Sequence, residues 1–124
     1  MSFRRVLIAA VLAGTAAACG SSSSTTPSTT TTTTGPAVTV SIPTGAAGLT
    51  TTAFGTNPLT VAVGTTVTWV NNDSIAHTST ANGGQFNTGT INPGGSAKFQ
   101  FSTAGTFAYH CTIHPGMVGT ITVQ

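Results

Sequence analysis

Charge is almost missing from this 124-residue sequence: it holds three Lys and Arg residues and one acidic residue. Arg4 and Arg5 stand at the extreme N-terminus, so Asp73 and Lys98 are the formal side-chain charges of everything that follows. Such a chain offers no basic patch to nucleic acid and no acidic face to steer a cationic partner. A partner must be recognised by shape and apolar contact. Paired carboxylates, a Ser-His-Asp set and a Gly-rich phosphate loop are absent as well, and the sequence reads as a non-enzyme. Helical patterning is missing, because Gly, Pro and Thr recur too often and no window sustains a 3.6-residue apolar period. Cysteine is scarce, with only Cys19 and Cys111. A small exported domain often relies on disulfides. A Cys19–Cys111 bridge is disfavoured because Cys19 ends a floppy tether. A lone Cys111 thiol in an oxidising compartment therefore needs another reason, and metal ligation is the best available one.

What is present begins with a secretory pattern over residues 1–19. Arg4 and Arg5 form a basic n-region, Val6–Leu12 an apolar stretch, and Thr15–Ala18 a run of small residues before Cys19. The apolar run is too short for a membrane span. A cysteine at the cleavage point resembles the lipobox of bacterial lipoproteins, although Ala16 stands where leucine is usual. Lipidation of Cys19 is expected, with ordinary cleavage near Ala18 as the alternative. Residues 20–35 are a Ser/Thr-rich tether without apolar residues to bury, spanning about 20–25 Å as a random coil. Residues 36–124 form one domain with a single small core, expected to be exported and to sit in the periplasm or on the cell surface, as a monomer tied to a membrane only through its lipid.

The pattern of this domain is β throughout. Ala37–Ile42 alternates apolar and polar residues, Leu59–Ala62 is a short strand, and Thr65–Asn71 is a strong one with Val67 and Trp69 on one face. Ile75–Ala81 is read as a strand carrying His77, and Gln85–Ile91 as a weakly patterned one around Phe86. Ser96–Phe101 points Phe99 and Phe101 inward, Thr106–Cys111 aligns Phe107, Tyr109 and Cys111, and Val118–Val123 ends the chain's pattern. Roughly seven or eight short strands with frequent turns predict an all-β, Greek-key β-sandwich.

The chemistry gathers in Phe107–Val118. Cys111, His114 and Met117 follow one another as Cys-x2-His-x2-Met, and Pro115 with Gly116 allows a tight loop that turns the three side chains towards one point. A thiolate, an imidazole and a thioether make a soft mixed donor set that suits copper in both Cu(I) and Cu(II). His77 is the expected second imidazole: loops gather at the ends of a sandwich, so a residue far away in sequence can face this loop. The site would place Cys111, His77 and His114 near one plane with Met117 as a weak axial ligand. The poverty of carboxylates, with Asp73 the one possible neighbour, argues against a hard-ion site. Each residue has a plainer reading: a buried thiol, a strand histidine, loop packing by Met117. His110 adjoins Cys111 but points to the opposite face of an extended strand, so it is read as a surface or packing residue.

Tyr109-His-Cys-Thr-Ile-His-Pro-Gly-Met117 resembles the copper loop of the small blue copper proteins, the cupredoxins, and its short spacing is most similar to the amicyanin branch of the plastocyanin-like family. Val61–Asp73 followed by His77-Thr78 resembles the strand pair that presents the family's first histidine. The resemblance spans about residues 54–124. It implies a type 1 copper site with His77, Cys111, His114 and Met117 as ligands, single-electron transfer, and a redox partner protein docking near a solvent-edged His114. Ala76 and Thr78 depart from the proline and asparagine common around that histidine, and Thr78 can offer a hydroxyl in the asparagine's place.

An electron carrier is the reading these features favour. A copper-binding or copper-delivery module is the alternative, although such modules often use Met-rich or His-rich exposed sites, which this chain lacks. A thiol redox enzyme is disfavoured because no second cysteine could resolve an intermediate.

Overall fold

The computed structural model describes residues 35–124. The expected signal segment, Cys19 and all of the tether but Gly35 lie outside the described residues.

Seven strands form two sheets: β1 (Ala37–Ile42), β2 (Leu59–Val61), β3 (Thr65–Asn71), β4 (Thr80–Ala81), β5 (Ser96–Phe101), β6 (Gly105–His110) and β7 (Val118–Val123). The first sheet has the order β1-β3-β5 and the second β2-β7-β6-β4. β1 runs parallel to β3 and β2 parallel to β7, while the β3/β5, β4/β6 and β6/β7 pairs are antiparallel. Among the described residues the one helical element is a 3-10 turn at Ala46–Gly48.

The expected alternation is what buries the sandwich. Along β3, Thr65, Val67, Trp69 and Asn71 are buried and the residues between them are half-buried. β1 contributes Val40 and Ile42, β5 Phe101, β6 Tyr109, and β7 Ile121 and Val123. Phe86 lies at the centre, with its ring centroid 5.3 Å from Trp69, 5.5 Å from Phe101 and 5.8 Å from Tyr109. Phe54 closes over Tyr109 at 4.7 Å. Each such ring contributes about 1.5–3 kcal/mol by leaving water, and the edge and tilted contacts add to that. Cys111 is a free thiol, so among the described residues no disulfide joins the two sheets.

Two expected strands are corrected. Ile75–Ala81 is not a strand through His77: only Thr80–Ala81 pairs in a ladder, and His77 makes a lone antiparallel bridge to Ile91. The backbone here has other partners. Asn71 Nδ2 donates to the carbonyls of Ile75 and Ile91, and the Thr78 N–H points to Cys111 Sγ. Gln85–Ile91 likewise reduces to bridges at Asn87 and Ile91. The Thr88 hydroxyl accepts the Ser79 N–H, and Asn87 Oδ1 accepts the Gly89 N–H. Side chains have taken the places of ladder bonds. The result is an irregular segment that can aim His77 at the far loop.

Candidate metal centre

Two segments converge at one end of the sandwich. The first follows β3. Asn71, buried at its end, accepts the Asp73 N–H on Oδ1 and so shapes the turn leading to His77. The His77 backbone then exchanges both hydrogen bonds with Ile91, at 3.1 and 2.7 Å. A buried histidine is thus fixed at its backbone by a residue fourteen positions on.

The second segment follows β6. Cys111 is the first residue beyond the strand, on the same face as buried Tyr109. Its N–H donates to the Met117 carbonyl at 3.1 Å, and the Met117 N–H donates to the His114 carbonyl at 2.9 Å. The second bond closes a turn with Pro115 and Gly116 at its centre, as their chemistry predicts. The loop from Cys111 to Met117 is therefore cinched at its neck, with Cys111 and Met117 fully buried and His114 half-buried.

The donor atoms meet. Cys111 Sγ lies 3.9 Å from His77 Nδ1 and 3.8 Å from His114 Nδ1, and all three atoms lie within 4.8 Å of one another. Ligands at bond lengths of about 2.0–2.3 Å around a trigonal centre sit roughly 3.5–4 Å apart. The triangle fits one soft or borderline metal ion. His110, by contrast, turns to Asn82, with Nδ1 2.6 Å from Oδ1, and takes no part.

Thr78 ties the two segments together. Its N–H reaches Cys111 Sγ at 3.3 Å, and its hydroxyl oxygen accepts the Thr112 N–H at 2.8 Å. That oxygen is 2.9 Å from the Thr112 hydroxyl and 3.9 Å from Sγ. The hydroxyl does bridge the ligand segments where an asparagine is common, and the N–H is aimed at the sulfur.

Asp73, expected only as a possible neighbour of the site, touches a ligand ring. Its carboxylate is buried and lies 2.9 Å from His77 Nε2. The Gly45 N–H and the His77 ring, joined by the Ser74 and Ala46 N–H groups, hold its pKa down to about 2 against the opposing effect of burial. Two signals were available: it is the sequence's one acidic residue, and it stands four positions before His77.

A β-sandwich that brings one cysteine, two histidines and a buried methionine to one end defines a cupredoxin with a type 1 copper site. The model for copper-binding proteins of the plastocyanin/azurin family matches residues 40–124, and the chain belongs to that family. It is 38% identical over 84 residues to a plastocyanin from Scenedesmus fuscus, covering 57% of this chain and 86% of that protein. It is 36% identical over 76 residues to an amicyanin from Paracoccus denitrificans, covering 57% of this chain and 58% of the relative. Among solved structures, a purple cupredoxin from Nitrosopumilus maritimus superposes with a TM-score of 0.64 at 34% identity, covering 70% of this chain and 99% of that one. An amicyanin variant in its oxidised state gives a TM-score of 0.60 at 29% identity, over 71% and 82% of the two chains.

Proposed function

We propose that this protein is a single-electron carrier, exported and held at a membrane by a lipid on Cys19. His77, Cys111, His114 and Met117 would hold one copper, which supplies the Cu(II)/Cu(I) couple when bound. The observation that carries the reading is the assembled donor triangle. His77 is fixed by Ile91 and Asp73, Cys111 Sγ by the Thr78 N–H, and the loop by its own two backbone bonds. Donors held this way move little between oxidation states, which is what rapid electron exchange requires.

The face around the site suits an uncharged handshake. Ile113 is 48% exposed, Ile75 42% and Val118 36%, each within two residues of a proposed ligand or of the loop's neck. Leu49 joins them through its neighbour Thr50, whose carbonyl accepts the Val118 N–H. With Asp73 buried, Lys98 is the one exposed Lys, Arg, Asp or Glu side chain among the described residues. A redox partner would dock apolar surface to apolar surface over half-buried His114. Association should then respond weakly to salt, because screening acts on exposed charge.

The test is voltammetry of the copper-loaded chain together with transfer of copper to a chelator. An electron carrier gives a reversible one-electron wave and keeps its copper through repeated cycles. Irreversible cycling with ready surrender of Cu(I) would instead make it a copper-delivery module.

A further inference from the structure

We infer that Asp73 is a positioning residue for the metal centre: its carboxylate selects the nitrogen of His77 that faces the metal and biases the couple towards Cu(II). The inference rests on the copper reading above and extends it to a residue outside the ligand set.

Asp73 is 6% exposed and has no Lys or Arg partner among the described residues. A buried, unpaired carboxylate is expensive unless several donors surround it. Four do. Oδ1 accepts the N–H groups of Gly45 at 3.0 Å and Ser74 at 2.8 Å. Oδ2 accepts the N–H of Ala46 at 3.2 Å and lies 2.9 Å from His77 Nε2. Three backbone donors would suffice to brace the turn. The fourth contact binds the carboxylate to a ligand ring.

Its consequence for the ring is chemical. A neutral imidazole carries one N–H, and an ionised carboxylate only accepts. The proton is therefore held on Nε2, which leaves the Nδ1 lone pair facing Cys111 Sγ at 3.9 Å. The carboxylate's own position is set by Asn71, whose Oδ1 accepts the Asp73 N–H and whose amide donates to the Ile91 carbonyl. Ile91 in turn grips the His77 backbone. Ring and backbone of His77 are thus both referenced to one buried asparagine.

The second consequence is electrostatic. A fixed negative charge behind one ligand stabilises the more positive oxidation state, which lowers the reduction potential. An amide cannot stand in for this carboxylate. Every partner of both oxygens is an N–H donor, so the amino group of an asparagine opposes two donors whichever way it turns.

The experiment has two readouts. In the copper-free chain, nitrogen NMR of His77 should show a protonated Nε2 and an unprotonated Nδ1. In the copper-loaded chain, Asp73→Asn should raise the potential, with the Cu(II)-to-Cu(I) affinity ratio falling at least tenfold, or 59 mV for one electron. A His77 protonated at Nδ1 in the native chain overturns the inference. So does a D73N protein that keeps its visible copper band with an affinity ratio within tenfold of the native one, since a purely structural brace would behave that way. Should D73N fail to fold, the nitrogen measurement on the native chain decides alone. Absence of a copper band in the native chain would instead sink the copper reading itself.

Discussion

Replacing Thr78 with valine tests how the two ligand segments are joined. Valine keeps the shape of the side chain and the backbone N–H aimed at Cys111 Sγ. It removes the oxygen that accepts the Thr112 N–H at 2.8 Å in a partly buried setting. A net hydrogen bond of this kind is worth about 1 kcal/mol, and a buried N–H left without a partner costs more. Because water can partly reach Thr112, the expected loss is about 1–2 kcal/mol, or about 5–15 °C in Tm for a domain this small. Thr112→Val is the control. It removes only the hydroxyl that lies 2.9 Å from the Thr78 oxygen at an exposed residue, and should cost about 0.5 kcal/mol or less. Thr78→Ser, which keeps the acceptor, should also stay close to the native protein. Urea unfolding of the copper-free chains, followed through the sole tryptophan, Trp69, measures all three. A Thr78→Val cost no larger than that of Thr112→Val would refute the idea that this oxygen clasps the segments.

Tyr109 is the only tyrosine, and burial pushes its pKa from 10.0 up to about 12. Its absorbance near 295 nm should rise around pH 12, and stability should fall between about pH 10 and 12, where only the unfolded chain gives up the proton; a rise at pH 10 in folded protein would contradict the burial. For Asp73 the sign is opposite. Its folded pKa of about 2 lies below the ordinary 3.8, so its contribution is complete above about pH 4 and disappears as pH falls to about 2. Urea midpoints should therefore show the advantage of the native chain over D73N shrinking across that window, and an advantage constant from pH 2 to 6 would count against it. Gly119→Ala should unfold far more easily than Gly116→Ala: a Cβ at Gly119 would sit 2.5 Å from Tyr109 Cζ, while one at Gly116 meets nothing within 4 Å. Equal melting temperatures for the two would contradict the packing of Tyr109 against β7.

The parts of the fold that were legible in sequence are those where side chains alternate against a core. β1, β3, β5 and β7 fall where alternation places them, and Cys111 lies one residue past the end of β6. The strands expected at Ile75–Ala81 and Gln85–Ile91 are largely absent because their regularity is replaced by side-chain bonds from Asn71, Asn87 and Thr88, which apolar periodicity does not record. The donor set was legible because its residue types are rare here and closely spaced. The carboxylate behind His77 was not, since Asp73 sits in what reads as an ordinary Asn-Asp-Ser turn and its role depends on where the ring of His77 points.

The most direct test of the central claim is a titration of the copper-free chain with Cu(II), followed in the visible and by electron paramagnetic resonance. A site built from Cys111, His77, His114 and Met117 should develop an intense thiolate-to-copper band with narrow copper hyperfine splitting, saturate at one equivalent, and lose the band on Cys111→Ser. A colourless complex, or a weak band that survives Cys111→Ser, would contradict it.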